Sequence, residues 1–148
     1  MQTETEVLPP PTTEFITCPI FASLGTLGRK WTLTILRDIA FFPGATFGLI
    51  RKNNPGLRQR TLSLRLRQLA AEGLIERETT LGARRPRYVL APKGKDVWPV
   101  LTALMEYGVK NHPSAVFQDG RSRAVGQLYP GSADVMLRDL ARFARQKS

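Results

Sequence analysis

Few of the residues that build chemical sites are present in this chain of 148 residues. One cysteine, Cys18, rules out an internal disulfide framework and a multi-cysteine zinc site. One histidine, His112, leaves little with which to assemble a metal centre or a histidine-based triad, so neither metal nor cofactor is expected. An enzyme using Cys18 as nucleophile would need a positioned base, and the sole histidine stands far along the chain. No apolar run approaches the ~20 residues needed to span a bilayer, so no membrane partner is expected. The N-terminus is acidic and rich in Pro and Thr, with no apolar core. It does not read as a secretory signal, and a cytoplasmic location is the default expectation.

Negative charge is also scarce: 12 Asp and Glu stand against 22 Lys and Arg, a net +10. The excess is concentrated. Residues 51–95 hold twelve basic side chains and three acidic ones, a net +9, whereas the first twenty residues carry only Glu4, Glu6 and Glu14. Charge kept only for solubility would be spread more evenly. A localised basic field attracts polyanions and speeds encounter with them.

The pattern around that field is one of short helices. Residues 1–13 contain Pro9-Pro10-Pro11 and little that packs, and read as a flexible arm. Helical spacing runs through 15–27 and again from Trp31 to Ala40. Pro43-Gly44 breaks the chain, a short helix covers 46–53, and Asn53-Asn54-Pro55-Gly56 is a turn. The next helix spans 58–72, with Leu62, Leu66 and Leu69 on one face and Gly73 at its end. Strands are predicted over 74–79 and 87–90 around a Gly82 loop. A long helix over 92–110 should kink near Pro99. Residues 112–131 read as irregular, and Ser132 as the N-cap of a last helix to residue 147, with Met136, Leu140 and Phe143 as its stripe. The division is an arm (1–13), a helix-turn-helix domain with flanking helices (14–110) and a C-terminal extension (111–148). The fold class is mainly α with a small β-hairpin: a winged helix-turn-helix with extra N- and C-terminal helices.

A short helix, a tight turn and a basic amphipathic helix form a helix-turn-helix, in which the first helix braces the second against the major groove. At 100° per residue Arg60, Leu64, Arg67 and Ala71 point away from the leucine stripe, with Ser63 on the flank. Arg60 and Arg67 suit guanine edges and Gln59 an adenine, Ser63 suits base or phosphate, and Leu64 suits either a thymine methyl or a place under the wing. Arg58 at the helix entry, Thr61 and Arg65 are candidate backbone contacts, as are Arg84, Arg85 and Arg87 around Pro86 at the hairpin tip. These features point to double-stranded DNA as partner. The alternative is sequence-tolerant, architectural nucleic-acid binding. Cys18 taken alone reads as a small buried side chain. Trp31 and Trp98 read as core or interface anchors.

Several landmarks resemble the HxlR-type family of winged helix-turn-helix transcriptional regulators. They are Cys18-Pro19, Leu27-Gly28-Arg29-Lys30-Trp31-Thr32, Phe47, Pro55-Gly56, Arg60-Thr61-Leu62-Ser63 followed by Arg65-Leu66, Glu72-Gly73-Leu74-Ile75, Tyr88, Lys93-Gly94 and Pro99-Val100-Leu101. The resemblance covers about residues 18–108. It implies a homodimer on an inverted repeat, formed by the N-terminal helix and the 92–110 helix, with Phe21, Leu24, Trp98, Leu101, Leu104 and Met105 at the interface. It also implies an oxidant or small-molecule effector acting through Cys18, because several family members sense electrophiles or oxidants at a cysteine near that position. Two residues depart from the family pattern. Arg58 replaces a serine-like cap, which removes a hydrogen bond typically worth ~1 kcal/mol and sets a cation where the helix dipole disfavours one. Ala91 replaces a capping threonine. Residues 112–148 extend beyond the family core, and their helix is expected to pack against the dimer or the partner subunit.

Overall fold

The computed structural model describes residues 9–10, 12–14, 16–79 and 81–128. Most of the expected arm, Phe15, and the expected terminal helix with Met136, Leu140 and Phe143 lie outside the described residues. The elements run α1 (Pro19–Leu27), α2 (Thr32–Phe41), β1 (Ala45–Thr46), α3 (Phe47–Asn53), α4 (Gln59–Ala71), β2 (Ile75–Glu78), β3 (Arg87–Leu90), α5 (Pro92–Lys95), α6 (Trp98–Asn111), α7 (Pro113–Val116) and α8 (Val125–Leu128). Among the described residues no helix is long and apolar enough to cross a membrane.

Local chemistry sets the boundaries. Pro19 opens α1, where its missing N–H is not needed. Thr46 caps α3, its hydroxyl accepting from the Leu49 N–H at 3.3 Å. Gly73 takes φ +78° after α4, a conformation that ends the helix and turns the chain into β2. The leucine stripe of α4 lies inward: Leu62, Leu66 and Leu69 are buried against Ile35, Leu36 and Ile39 of α2 and Ile50 of α3 in one core. Each such side chain contributes about 1.5–3 kcal/mol on burial.

The sheet has three strands rather than the two expected. β3 is central, antiparallel to both neighbours, with Ala45 opposite Tyr88 on one side and Ile75 opposite Leu90 on the other. The predicted 92–110 helix is two helices. Gly94 packs so tightly under the Leu74 carbonyl that a Cβ there would stand 2.0 Å from its oxygen, and the chain turns at 96–97 before α6 begins. Pro99 therefore lies in the first turn of α6, where it is tolerated, and not at a kink within a longer helix. Residues 112–128 are not wholly irregular, since α7 and α8 fall there. The Ser122 hydroxyl donates to the Val109 carbonyl at 2.8 Å and Val125 packs on the core, which folds this part of the extension back along α6.

Two features brace the helix-turn-helix. Asp38 of α2 is 2% exposed and Asn54, in the turn after α3, is buried beside it. Asn54 Nδ2 donates to Asp38 Oδ2 at 2.7 Å and to the Ile50 carbonyl at 2.8 Å, and Arg37 Nη2 donates to Asp38 Oδ1 at 2.9 Å. The second feature is Trp31, the one non-glycine residue at positive φ among the described residues, at +75°. A bulky side chain in that region costs about 1–3 kcal/mol and persists only where its surroundings hold it.

Candidate nucleic-acid interface

The sequence-predicted site residues fall on α4 and on the hairpin formed by β2 and β3. The core claims one face of α4, so its opposite face is open to solvent: Arg58, Gln59, Arg60, Leu64 and Arg67 are exposed, with Thr61 and Ser63 half-buried on its flanks. Arg58 is the N-cap of α4 and makes no side-chain cap hydrogen bond, and no acidic residue occupies the first turn. The first-turn N–H groups are thus left for an outside acceptor, with a guanidinium beside them, an arrangement that favours an anion.

Arg84, Arg85 and Arg87 are exposed at the hairpin end, together with a fully exposed Leu81 that the sequence reading did not single out. The hairpin leans on the helix-turn-helix. Arg85 Nη1 stands 3.8 Å from where a Cβ of Gly48 in α3 would sit, and the Arg87 side chain passes 3.6 Å from that of Gly44. Among the described residues no carboxylate forms an ion pair with Arg58, Arg60, Arg67, Arg84, Arg85 or Arg87. Glu78 faces Arg87 across the β2–β3 ladder, yet the two do not pair.

Arg65 is set apart from these six. Its Nε donates to the Lys30 carbonyl and its Nη1 to Gln68 Oε1, each at 3.0 Å, so the guanidinium is directed at the loop between α1 and α2. Nothing in sequence spacing signals this contact, because the partner is a main-chain carbonyl 35 positions away. Arg29 pairs with Glu72 at 3.2 Å, and Lys93 donates to the Glu72 carbonyl at 3.0 Å.

The residues expected at an interface divide into two groups. Trp98 and Leu101 are each 5% exposed and belong to the core, so they present little surface of their own. The α6 face that carries them is needed to cover α2, where Phe41 meets the Trp98 ring edge-on at 5.4 Å. Met105 is half-buried against the same core. Phe21 and Leu24 of α1 and Leu104 of α6 are exposed. Ile20 joins the first pair, and Val100 and Tyr107 join Leu104, so two apolar stripes are exposed among the described residues.

Cys18 is exposed, not buried as its residue type alone suggests, and it is the N-cap of α1. The backbone N–H groups of Phe21 and, secondarily, Ile20 in the first turn of α1 lower its thiol below the ordinary cysteine value.

The model of the HxlR-like helix-turn-helix family matches residues 26–115. A relative from Synechocystis sp., called an uncharacterised HTH-type transcriptional regulator, is 35% identical over 92 residues, covering 62% of this chain and 67% of its own length. One of the same description from Mycobacterium tuberculosis is 38% identical over 87 residues, covering 58% of this chain and 54% of its own, so the match spans about half of that relative. Among solved structures, a possible HxlR family transcriptional factor from Thermoplasma volcanium superposes with a TM-score of 0.55 at 31% identity, covering 68% of this chain and 90% of that one. The redox regulator HypR in its oxidised form superposes with a TM-score of 0.60 at 28% identity, covering 64% of this chain and 98% of that one.

Proposed function

This chain belongs to the HxlR-like helix-turn-helix family, and from that premise we propose that it regulates transcription as a homodimer reading a pseudo-palindromic operator in double-stranded DNA. The observation that carries this reading is the set of six arginines exposed at the start of α4, along it and on the hairpin with no ion-pair partner among the described residues. In it Arg60 and Arg67, with Gln59, Ser63 and Leu64, read base edges in the major groove. Arg58, Thr61, Arg84, Arg85 and Arg87 hold the backbone on either side. The start of α4, which no side chain caps, accepts a phosphate.

Homodimer formation is supported by the two uncovered stripes, Ile20, Phe21 and Leu24 on α1 and Val100, Leu104 and Tyr107 on α6, whose burial against a second copy removes them from water. A two-fold dimer sets half-site centres ~34 Å apart, or a multiple of that. An oxidant or electrophile acting at Cys18 is the proposed signal. Its support is the exposed, acidified thiol at the start of α1, and the likeness to a protein named a redox regulator. Selection of bound sequences from a random duplex library tests the reading. An enriched inverted repeat is expected, and a bound pool with no enriched motif would replace it with sequence-tolerant binding.

A further inference from the structure

The loop at 28–31 is held by the reading helix itself. α1 has no buried residue, and only Leu27 at its end packs on the core. Its direction is therefore set by how the chain leaves it. That exit is tight, because a Cβ on Gly28 would stand 2.5 Å from the Leu24 carbonyl oxygen. Three residues later Trp31 sits at φ +75°. Strain of this kind marks a segment whose geometry is fixed from outside. The Trp31 ring lies against Gly56 in the turn before α4, at 3.8 Å from where a Cβ would be, and the Lys30 ammonium stands 5.4 Å from the ring centroid.

α4 supplies the remaining restraints. Residues 65, 68 and 72 fall on one flank of that helix, at i, i+3 and i+7. Arg65, itself held by Gln68, donates to the Lys30 carbonyl at 3.0 Å, and Glu72 accepts from Arg29 at 3.2 Å. Two consecutive loop residues are thus clasped by Arg65 in α4 and by Glu72, the residue that caps its C-terminus. Lys93, just after the hairpin, donates to the Glu72 carbonyl and ties the base of the wing to the same end.

We propose that Arg65 and Glu72 are positioning residues that lock the 28–31 loop, and with it α1, to the reading helix, so that a dimer presents its two reading helices at one fixed separation. The proposal rests on the DNA-reading dimer of the preceding section: the apolar stripe of α1 belongs to the dimer seam and the outward face of α4 to the DNA, and the clasp is the polar link between them. Arg65 then acts on DNA through the loop and does not touch phosphate.

The test uses the full chain and the operator obtained by selection, alongside versions with one base pair added or removed between half-sites. Wild type is expected to bind the shifted operators at least ~5-fold more weakly, the lower end of typical site-to-site coupling. Glu72→Gln and Arg65→Gln are expected to bring that ratio close to one, with the dimer intact by analytical ultracentrifugation and the slope of log affinity against log salt unchanged. Arg29→Gln breaks the ion pair from the loop side without altering α4, and is expected to behave as Glu72→Gln does. Variants that keep the wild-type ratio overturn the proposal. So does an Arg65→Gln protein that weakens at every spacing with a slope smaller by about 0.9, since that identifies a phosphate contact. A wild type that binds no inverted repeat removes the dimeric reading first, whereas a wild-type preference left intact in the variants removes only the clasp.

Discussion

Arginine does two jobs in this chain, and the neighbours decide which. Arg29, Arg37 and Arg65 are directed at Glu72, Asp38 and the Lys30 carbonyl, whereas Arg60 and Arg67 are exposed on α4 and form no ion pair among the described residues. A guanidinium left without a partner on a rigid helix is pre-organised for a forked acceptor such as a guanine edge. Arg60→Ala is accordingly expected to relax preference at one base position by about 1–3 kcal/mol, read from the affinities of singly substituted operators. Unchanged discrimination at every position would remove Arg60 from the readers. The same reasoning applies to Cys18. Backbone N–H groups stabilise its thiolate, so the folded protein holds more thiolate at neutral pH than a free cysteine does. The pH midpoint for alkylation by iodoacetamide is expected to be lower in the folded protein than in urea, and coincident midpoints would contradict this.

The elements show why a surface is easier to read from sequence than its supports. The stripe of Leu62, Leu66 and Leu69 fixes which way α4 faces, and the outward position of Arg60 and Arg67 follows from helical geometry alone. Strands β2 and β3 are recognisable from their residues and flanking glycines. β1 is not, because a strand of two residues has no period to detect and exists only by pairing with β3. The Pro99 expectation failed for a related reason: the packing of Gly94 under Leu74, which separates α5 from α6, is a contact between residues twenty positions apart. The bracing network of Asp38 and Asn54 is likewise long-range. Asn54→Ala removes both of its donated hydrogen bonds and leaves a buried carboxylate short of a donor, which should cost about 1–3 kcal/mol. A urea midpoint lowered accordingly, with an unchanged m-value, is the expected result, and a loss below ~0.5 kcal/mol would show that the network bears little on stability.

Among the described residues the basic excess and the two apolar stripes fall on different elements. The charge excess of residues 51–95 lies on α4, the hairpin and their surroundings, while the uncovered stripes lie on α1 and α6. Phe21, 73% exposed, and Leu104, 47% exposed, belong to the stripes whose burial against a second copy would lower the free energy, at about 25 cal/mol per Å². Leu104→Asp is expected to yield a folded monomer by analytical ultracentrifugation that binds the operator at least tenfold more weakly, because two half-sites are no longer engaged together. A dimer of wild-type affinity would place the seam elsewhere. The account as a whole turns on the outward arginines meeting phosphate and base. Its most direct test is operator binding across a salt titration for wild type and the Arg84→Ala/Arg85→Ala double variant. Each neutralised phosphate contributes about −0.9 to the log–log slope, so the variant should bind more weakly to every sequence, with a slope smaller in magnitude by roughly 1–2. Superimposable titrations for the two proteins would show that the hairpin arginines do not touch DNA.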